Sequence, residues 1–223
     1  MYRIENLKRL FEQADPMDRH DGMLAYQRYH DMMKELSDYY SVPIERVTAA
    51  FVALSPNSDY LGNLRSLVTM LWAQTQGRDP REAVVSTYKH CRERAALYLA
   101  GIDFLSDAKG PKTRAFYRNI LSPQLAGPVT IDGHMYWAWL GENGTMKEAK
   151  VSGRIYYEIS YDIRSLAWDY EIRPHEVQAI LWYARKRILS IKYSPQLSLF
   201  EEDVGYQQAT FSLDRLKPYG LEK

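Results

Sequence analysis

The sequence predicts an all-α protein. Apolar residues recur at helical spacing along most of the 223-residue chain. Pro43, Pro111 and Pro174 open three of those runs, and Gly101 ends another. Strand signals are few: there is no long alternating run, no internal repeat and no low-complexity tract. Together these point to roughly eight to ten helices of ordinary length.

The elements follow in order. In residues 1–14, Ile4, Leu7, Leu10 and Phe11 share one face of a short helix. A second helix is read over 22–40. Residues 43–54, PIERVTAAFVAL, open with a proline suited to a first turn and become almost wholly apolar, which describes a buried helix stopped by SPN at 55–57. Helical spacing resumes over 59–76 through Leu61, Leu64, Leu67, Val68 and Leu71. GRDP at 77–80 is a turn, and a helix from about 81 to 100 is ended by Gly101. A short element near 102–106 precedes a helix from Pro111 to about Leu121. The loop SPQLAGP leads to VTIDGHMYWAWLG, with His134 to Leu140 as a helix body. GENGTMKEAKVSG reads as a loop, 153–171 as a helix, and RPHEVQAILWYARKRI, opening at Pro174, as a strong helix. Beyond about 191 the runs LSLF (197–200) and FSLDRL (211–216) are read as short docking helices.

Composition bounds the function. Hydrophobic residues make up 46%, an ordinary globular share, and the net charge is +1, so global charge carries no nucleic-acid signal. The single cysteine, Cys91, excludes an internal disulfide and a four-cysteine cluster, and is read as a reduced, partly buried thiol. No window approaches the apolar length of a membrane span, which leads to the expectation of a soluble, cytoplasmic protein. His20 and His30 with Asp18, Asp21 and Asp31 do not form a ligand-like spacing, so no metal is expected. No Gly-rich nucleotide loop is present, and no cofactor is expected. The 18 tyrosines and 5 tryptophans are assigned mainly to the core, including Trp137, Trp139, Trp182 and the cluster Tyr156, Tyr157, Tyr161.

Two residues stand out by position. Lys112 follows Gly110-Pro111 in AKGPKTRAFYRNI, where a tight turn would start a helix. A lysine in a first turn works against the helix dipole, so it is either a solvated surface group or one that serves as an amine nucleophile or phosphate contact. Asp132, some twenty residues on, sits in an apolar and aromatic segment, VTIDGHMYWAW. It either caps the following helix or directs its charge at a ligand.

Taken together, Gly110-Pro111-Lys112-Thr113 and Ile131-Asp132-Gly133-His134 resemble the helix-hairpin-helix DNA glycosylase superfamily, the group of endonuclease III and 8-oxoguanine glycosylase. Two more patches are similar. AFVALSPNSDY resembles the helix whose last polar side chain fills the gap left by a flipped base, here Asn57. HEVQAILW resembles the helix that sets a glutamine against that base, here Gln178, with Trp182 one turn on. The resemblance runs over roughly residues 43–185 in the family's order. The hairpin departs from the usual G-V-G, reading Ala108-Lys109-Gly110.

The resemblance implies two helical lobes with a helix-hairpin-helix and a cleft between them, approximately 30–125 and 1–29 plus 126–223, in one glycosylase-like unit over 1–223. It implies a monomer acting on duplex DNA with a flipped base, in a bacterial or phage-infected cell, without membrane, metal cluster or cofactor. Lys112, desolvated, would attack the sugar, Asp132 would stabilise the developing cation, and Gly110, Thr113, Arg114, Arg118 and His134 would hold the DNA backbone. Arg185-Lys186-Arg187 is a second basic patch. The implied activity is that of a DNA glycosylase with abasic-site lyase activity. The alternatives are a phage-type transferase that hypermodifies thymine on the same fold and a non-catalytic DNA-binding module.

Overall fold

Caps and prolines set the helix starts, and the described residues are mainly helical, as their spacing requires. The structure, a computed structural model, describes residues 3–190, and no strand occurs among them. The helices are α1 (Ile4–Glu12), α2 (Pro16–Tyr40), α3 (Ile44–Leu54), α4 (Tyr60–Thr75), α5 (Lys89–Leu99), α6 (Phe104–Asp107), α7 (Pro111–Leu121), α8 (Gly133–Leu140), α9 (Gly153–Asp169) and α10 (Pro174–Ile188). Pro111 and Pro174 open α7 and α10, where a missing N–H costs nothing. Side-chain caps start α4 (Gly62 N to Asp59 Oδ1, 2.7 Å), α8 (Met135 N to Asp132 Oδ1, 3.0 Å) and α9 (Ile155 N to Ser152 Oγ, 3.3 Å). The runs 197–200 and 211–216 lie outside the described residues.

The helix expected over 81–100 is half its predicted length. Pro80–Glu82 form a single 3-10 turn and α5 begins only at Lys89. The intervening Val84-Val85-Ser86-Thr87 carries β-branched and hydroxyl side chains that favour other bonds. Ser86 N bonds Ser66 Oγ at 2.9 Å, and Thr87 Oγ1 donates to Pro56 O. In contrast α2 begins six residues earlier than read, because Asp15 and Asp18 cap one another's backbone at 2.8 and 3.1 Å. Gly22 inside α2 did not signal its end. A Cβ there would lie 2.5 Å from the backbone nitrogen of Ile180, so the glycine permits a close helix crossing.

The described chain divides into two compact units, residues 3–30 with 109–190, and 31–108. Helix α7, which the sequence reading grouped with 30–125, counts with the first unit.

The first unit packs α1, α8, α9 and α10 around one core. Leu7 and Phe11 from α1, Met135 and Trp139 from α8, Ile159 and Ile163 from α9 and Ile180 and Leu181 from α10 meet there. Each such side chain contributes about 1.5–3 kcal/mol of burial. Tyr157 and Tyr161, assigned to this core from sequence, are instead 72% and 73% exposed, with Trp168 at 85%. They recur at i, i+4 and i+11, so they share the outer face of α9 while Tyr156, Ile159 and Ile163 turn inward.

The second unit is built on α3, whose residues Val47–Val52 are all buried against α4 and α5. Cys91 is a buried free thiol in this unit. Tyr98 donates to Asp107, and burial, that bond and the carboxylate charge all push its hydroxyl pKa upward.

Candidate functional site

The site is built on the segment 128–132, the start of α8 and one face of α10. The segment is extended, so its backbone polar groups need partners, and it finds them on two sides. Asn119 Nδ2 donates to Pro128 O at 2.8 Å, and Tyr156 OH donates to Val129 O. Burial pushes the Tyr156 hydroxyl up to about 12. Tyr26 OH bonds Thr130 Oγ1 at 2.9 Å and Gln178 Oε1 at 2.8 Å. His175 meets the Tyr26 ring edge-on, with centroids 5.2 Å apart. These groups form a sealed polar row. They fix the backbone immediately before Asp132.

Asp132 then turns the chain into α8. One carboxylate oxygen accepts the Met135 N–H, so the capping reading of this residue holds. Half-buried Asp132 also acts on its neighbours by charge. Burial pulls His134 below its ordinary value; the Asp132 charge opposes that shift, and the Lys186, Arg185 and Lys112 cations add to it. Burial likewise lowers Lys186 and Arg185, again opposed by Asp132. A carboxylate, an imidazole and two partly desolvated cations therefore share one neighbourhood.

Helix α10 supplies the opposite wall through Gln178, Trp182, Arg185 and Lys186, spaced i, i+4, i+7 and i+8 and so on one face. The Lys186 Nζ sits 3.9 Å from the centre of the Trp182 ring, and His134 meets that ring edge-on at 6.4 Å. Arg185 is only 7% exposed. Its Nη2 donates to Glu142 O at 3.0 Å and Asn143 Oδ1 at 3.3 Å, while its buried Nε has no partner. The loop that carries Glu142 and Asn143 is itself fastened over α8. Trp137 Nε1 donates to Thr145 O at 2.9 Å, and a Cβ on Gly144 would lie 2.3 Å from the Trp137 ring.

The other expected residues fall as follows. Lys112 is exposed at the first turn of α7, not desolvated, and it forms no ion pair with Asp132. The tight turn before it is not formed: Ala108 and Gly110 are both extended, Gly110 at φ −77°. A Cβ on Gly110 would meet only Thr113 Oγ1, at 3.6 Å. Thr113 and Arg114 are half-buried and Arg118 is exposed. Gln178 is 6% exposed with its Oε1 held by Tyr26, so in this state it faces the sealed row rather than an open pocket. Asn57 belongs to the second unit. It is exposed in a left-handed turn, φ +55°, on a shallow pocket of about 330 Å³ lined also by Ser58, Asp59, Gly62, Arg65 and Ser86. The turn geometry alone favours asparagine there.

Sequence reasoning noted Arg185 and Lys186 only as a surface patch. Their spacing from Gln178 along α10 was the available signal. Among the described residues no three His, Cys, Asp or Glu side chains gather as a metal ion would need, and no helix is long and apolar enough to cross a membrane.

No curated protein and no solved structure matches the chain. A family model, described as a family of unknown function, matches residues 2–188, and the chain therefore belongs to that family, DUF7178.

Proposed function

We propose that the protein is a DNA glycosylase with abasic-site lyase activity, acting on a base turned out of duplex DNA. The single observation that carries this reading is Asp132. It is held rigidly by its cap and by the bonded segment before it, and its charge acts on His134, Arg185 and Lys186. A fixed carboxylate of this kind stabilises positive charge developing on a sugar as the base departs. The neighbouring cations suit the flanking phosphates. The motif resemblance nominates Lys112 as the amine that attacks the sugar and the α7 start, with Gly110, Thr113, Arg114 and Arg118, as the backbone grip. Lys112 would be covered only once DNA is bound.

Duplexes carrying a panel of modified bases test the reading, with released base measured by mass spectrometry. The wild type should release one of them, and Asp132→Asn, which keeps a capping side chain, should slow release by about 10²–10³-fold. No release from any duplex, or an unchanged rate in the variant, sinks it.

The exposure of Lys112 favours one further reading, a transferase on the same scaffold that modifies the base without breaking its bond to the sugar. Such an enzyme leaves no abasic site, only a base of altered mass. A non-catalytic DNA-binding module would bind the duplex and turn over nothing.

A further inference from the structure

We infer that the outer face of α9 is the contact surface of a two-fold symmetric dimer, in which the α9 of a second copy of this chain lies antiparallel against it. The inference departs from the monomer that the motif resemblance implies. It is independent of the glycosylase reading, since none of its residues belongs to the site around Asp132.

The sequence of α9 lays out the surface. Arg154, Tyr157, Tyr161, Arg164 and Trp168 follow one another at alternating steps of three and four residues. At about 3.6 residues per turn such steps keep all five on one stripe, opposite the inward Tyr156, Ile159 and Ile163. All five are exposed, the two tyrosines and the tryptophan by more than two-thirds. Alternation of three and four is also the spacing of a helix–helix seam. Three large rings offer roughly 500 Å² of surface. The stems of the flanking arginines bring the stripe toward the about 800 Å² that each partner buries in a stable interface.

The order of the residues selects the occupant. A two-fold axis at Tyr161 sets each residue against one about equally far on the other side of that position. Arg154, seven residues before it, then meets the partner's Trp168, seven after. Tyr157, four before it, meets the partner's Arg164, three after, on the same flank of the seam. Tyr161 meets the partner's Tyr161. Each arginine of one copy thus finds an aromatic ring of the other, and the symmetry makes every such cation–π pair twice. Glu158 accepts from Arg154 Nε at 2.8 Å and steadies that guanidinium from the edge of the stripe. A parallel arrangement would instead set each arginine against its own copy, and like charges repel. Nucleic acid is the poorer fit: α9 carries Glu158, Asp162 and Asp169 against two arginines, so the helix itself is net acidic.

Sedimentation of the full-length protein tests the proposal. The wild type should approach twice its 26.0 kDa as the concentration rises through the micromolar range. Tyr161→Arg places like charges at the two-fold axis and should weaken the dimer by about 100-fold or more. Trp168→Ser should weaken it by about 10-fold or more. Both variants should keep the thermal midpoint of the dilute, monomeric protein. Thiol crosslinking reads the direction, because Cys91, the single native thiol, is buried. Tyr161→Cys should crosslink to its own copy through a short bifunctional maleimide. Arg154→Cys should not, since its two copies would lie about 20 Å apart along the seam; mixed with Trp168→Cys, it should. A wild type that stays monomeric at every concentration overturns the proposal, as does a dimer indifferent to Tyr161→Arg. Self-crosslinking of Arg154→Cys, or no crosslink in the mixture, overturns the antiparallel pairing. A monomer that binds a single-stranded oligonucleotide, and loses it in Trp168→Ser, overturns the proposal and assigns the stripe to nucleic acid.

Discussion

Two polar clusters hang on the same elements, the 128–132 segment with the start of α8, and α10, and they are built on opposite terms. The row Tyr26, Thr130, Asn119, Gln178 and His175 is buried; the first four bond one another, while Asn119 Oδ1 and His175 Nδ1 find no partner. The cluster Asp132, His134, Arg185 and Lys186 lies further along the same helix face. Three of its members are only half-buried, and burial disfavours the charged forms of His134, Arg185 and Lys186. A neutral, bonded network in low dielectric stabilises and orients. A charged cluster that is partly dried costs stability, and such sites concentrate where ligands act. The first therefore serves as the footing of the second: it holds the backbone from which Asp132 projects.

The largest expected effect is on the footing. Gly22→Ala would drive a methyl group to 2.5 Å from the Ile180 backbone, so α2 and α10 must part. A loss of about 1–3 kcal/mol or more is expected, measured by urea denaturation; an unchanged midpoint would show that the crossing is loose and the row not sealed.

Tyr26→Phe should follow, at about 1–3 kcal/mol, because Thr130 and Gln178 would lose a buried partner. A neutral result would mean that water enters the row, and the contrast with the charged cluster would weaken.

The pH dependence is smaller and tells the clusters apart. Burial is the first cause of lowered proton affinity at both His175 and His134. The unfolded chain then binds more protons below the ordinary histidine value of about 6.5, so stability should fall as the pH drops through that value and be level above about 7.5. Unfolding free energies at pH 7.5 and 5 check the sign. His175→Gln should flatten the slope more than His134→Gln, since His175 is the more deeply buried. The smallest effect belongs to the outer face of α9. Trp168→Ser should change stability by less than about 0.5 kcal/mol, read by thermal melting.

Much of the fold was legible because its signals are local. Pro111 to Leu121 and Pro174 to Ile188 carry their own start signals and helical spacing, and both helices form as read. The 81–88 stretch was misread because its competing bonds go to Ser66 and Pro56, which no local window contains. Tyr157 and Tyr161 were misassigned because tyrosine suits both a core and a surface, and only the packing of α9 decides which side turns inward. At the site, the cap at Asp132 was legible from the residues that follow it. The burial of Lys186 and the exposure of Lys112 were not, since desolvation depends on what the rest of the chain brings near.

By itself, then, the sequence determined the helical class, most helix starts and the cap that turns the chain at Asp132, because propensity, proline geometry and capping act within a few residues. The tertiary structure decided which amine is sheltered, which aromatic rings face water and which polar groups are sealed. Those properties depend on dielectric and contact, and both are set by residues more than a hundred positions apart, such as Tyr26 and Gln178.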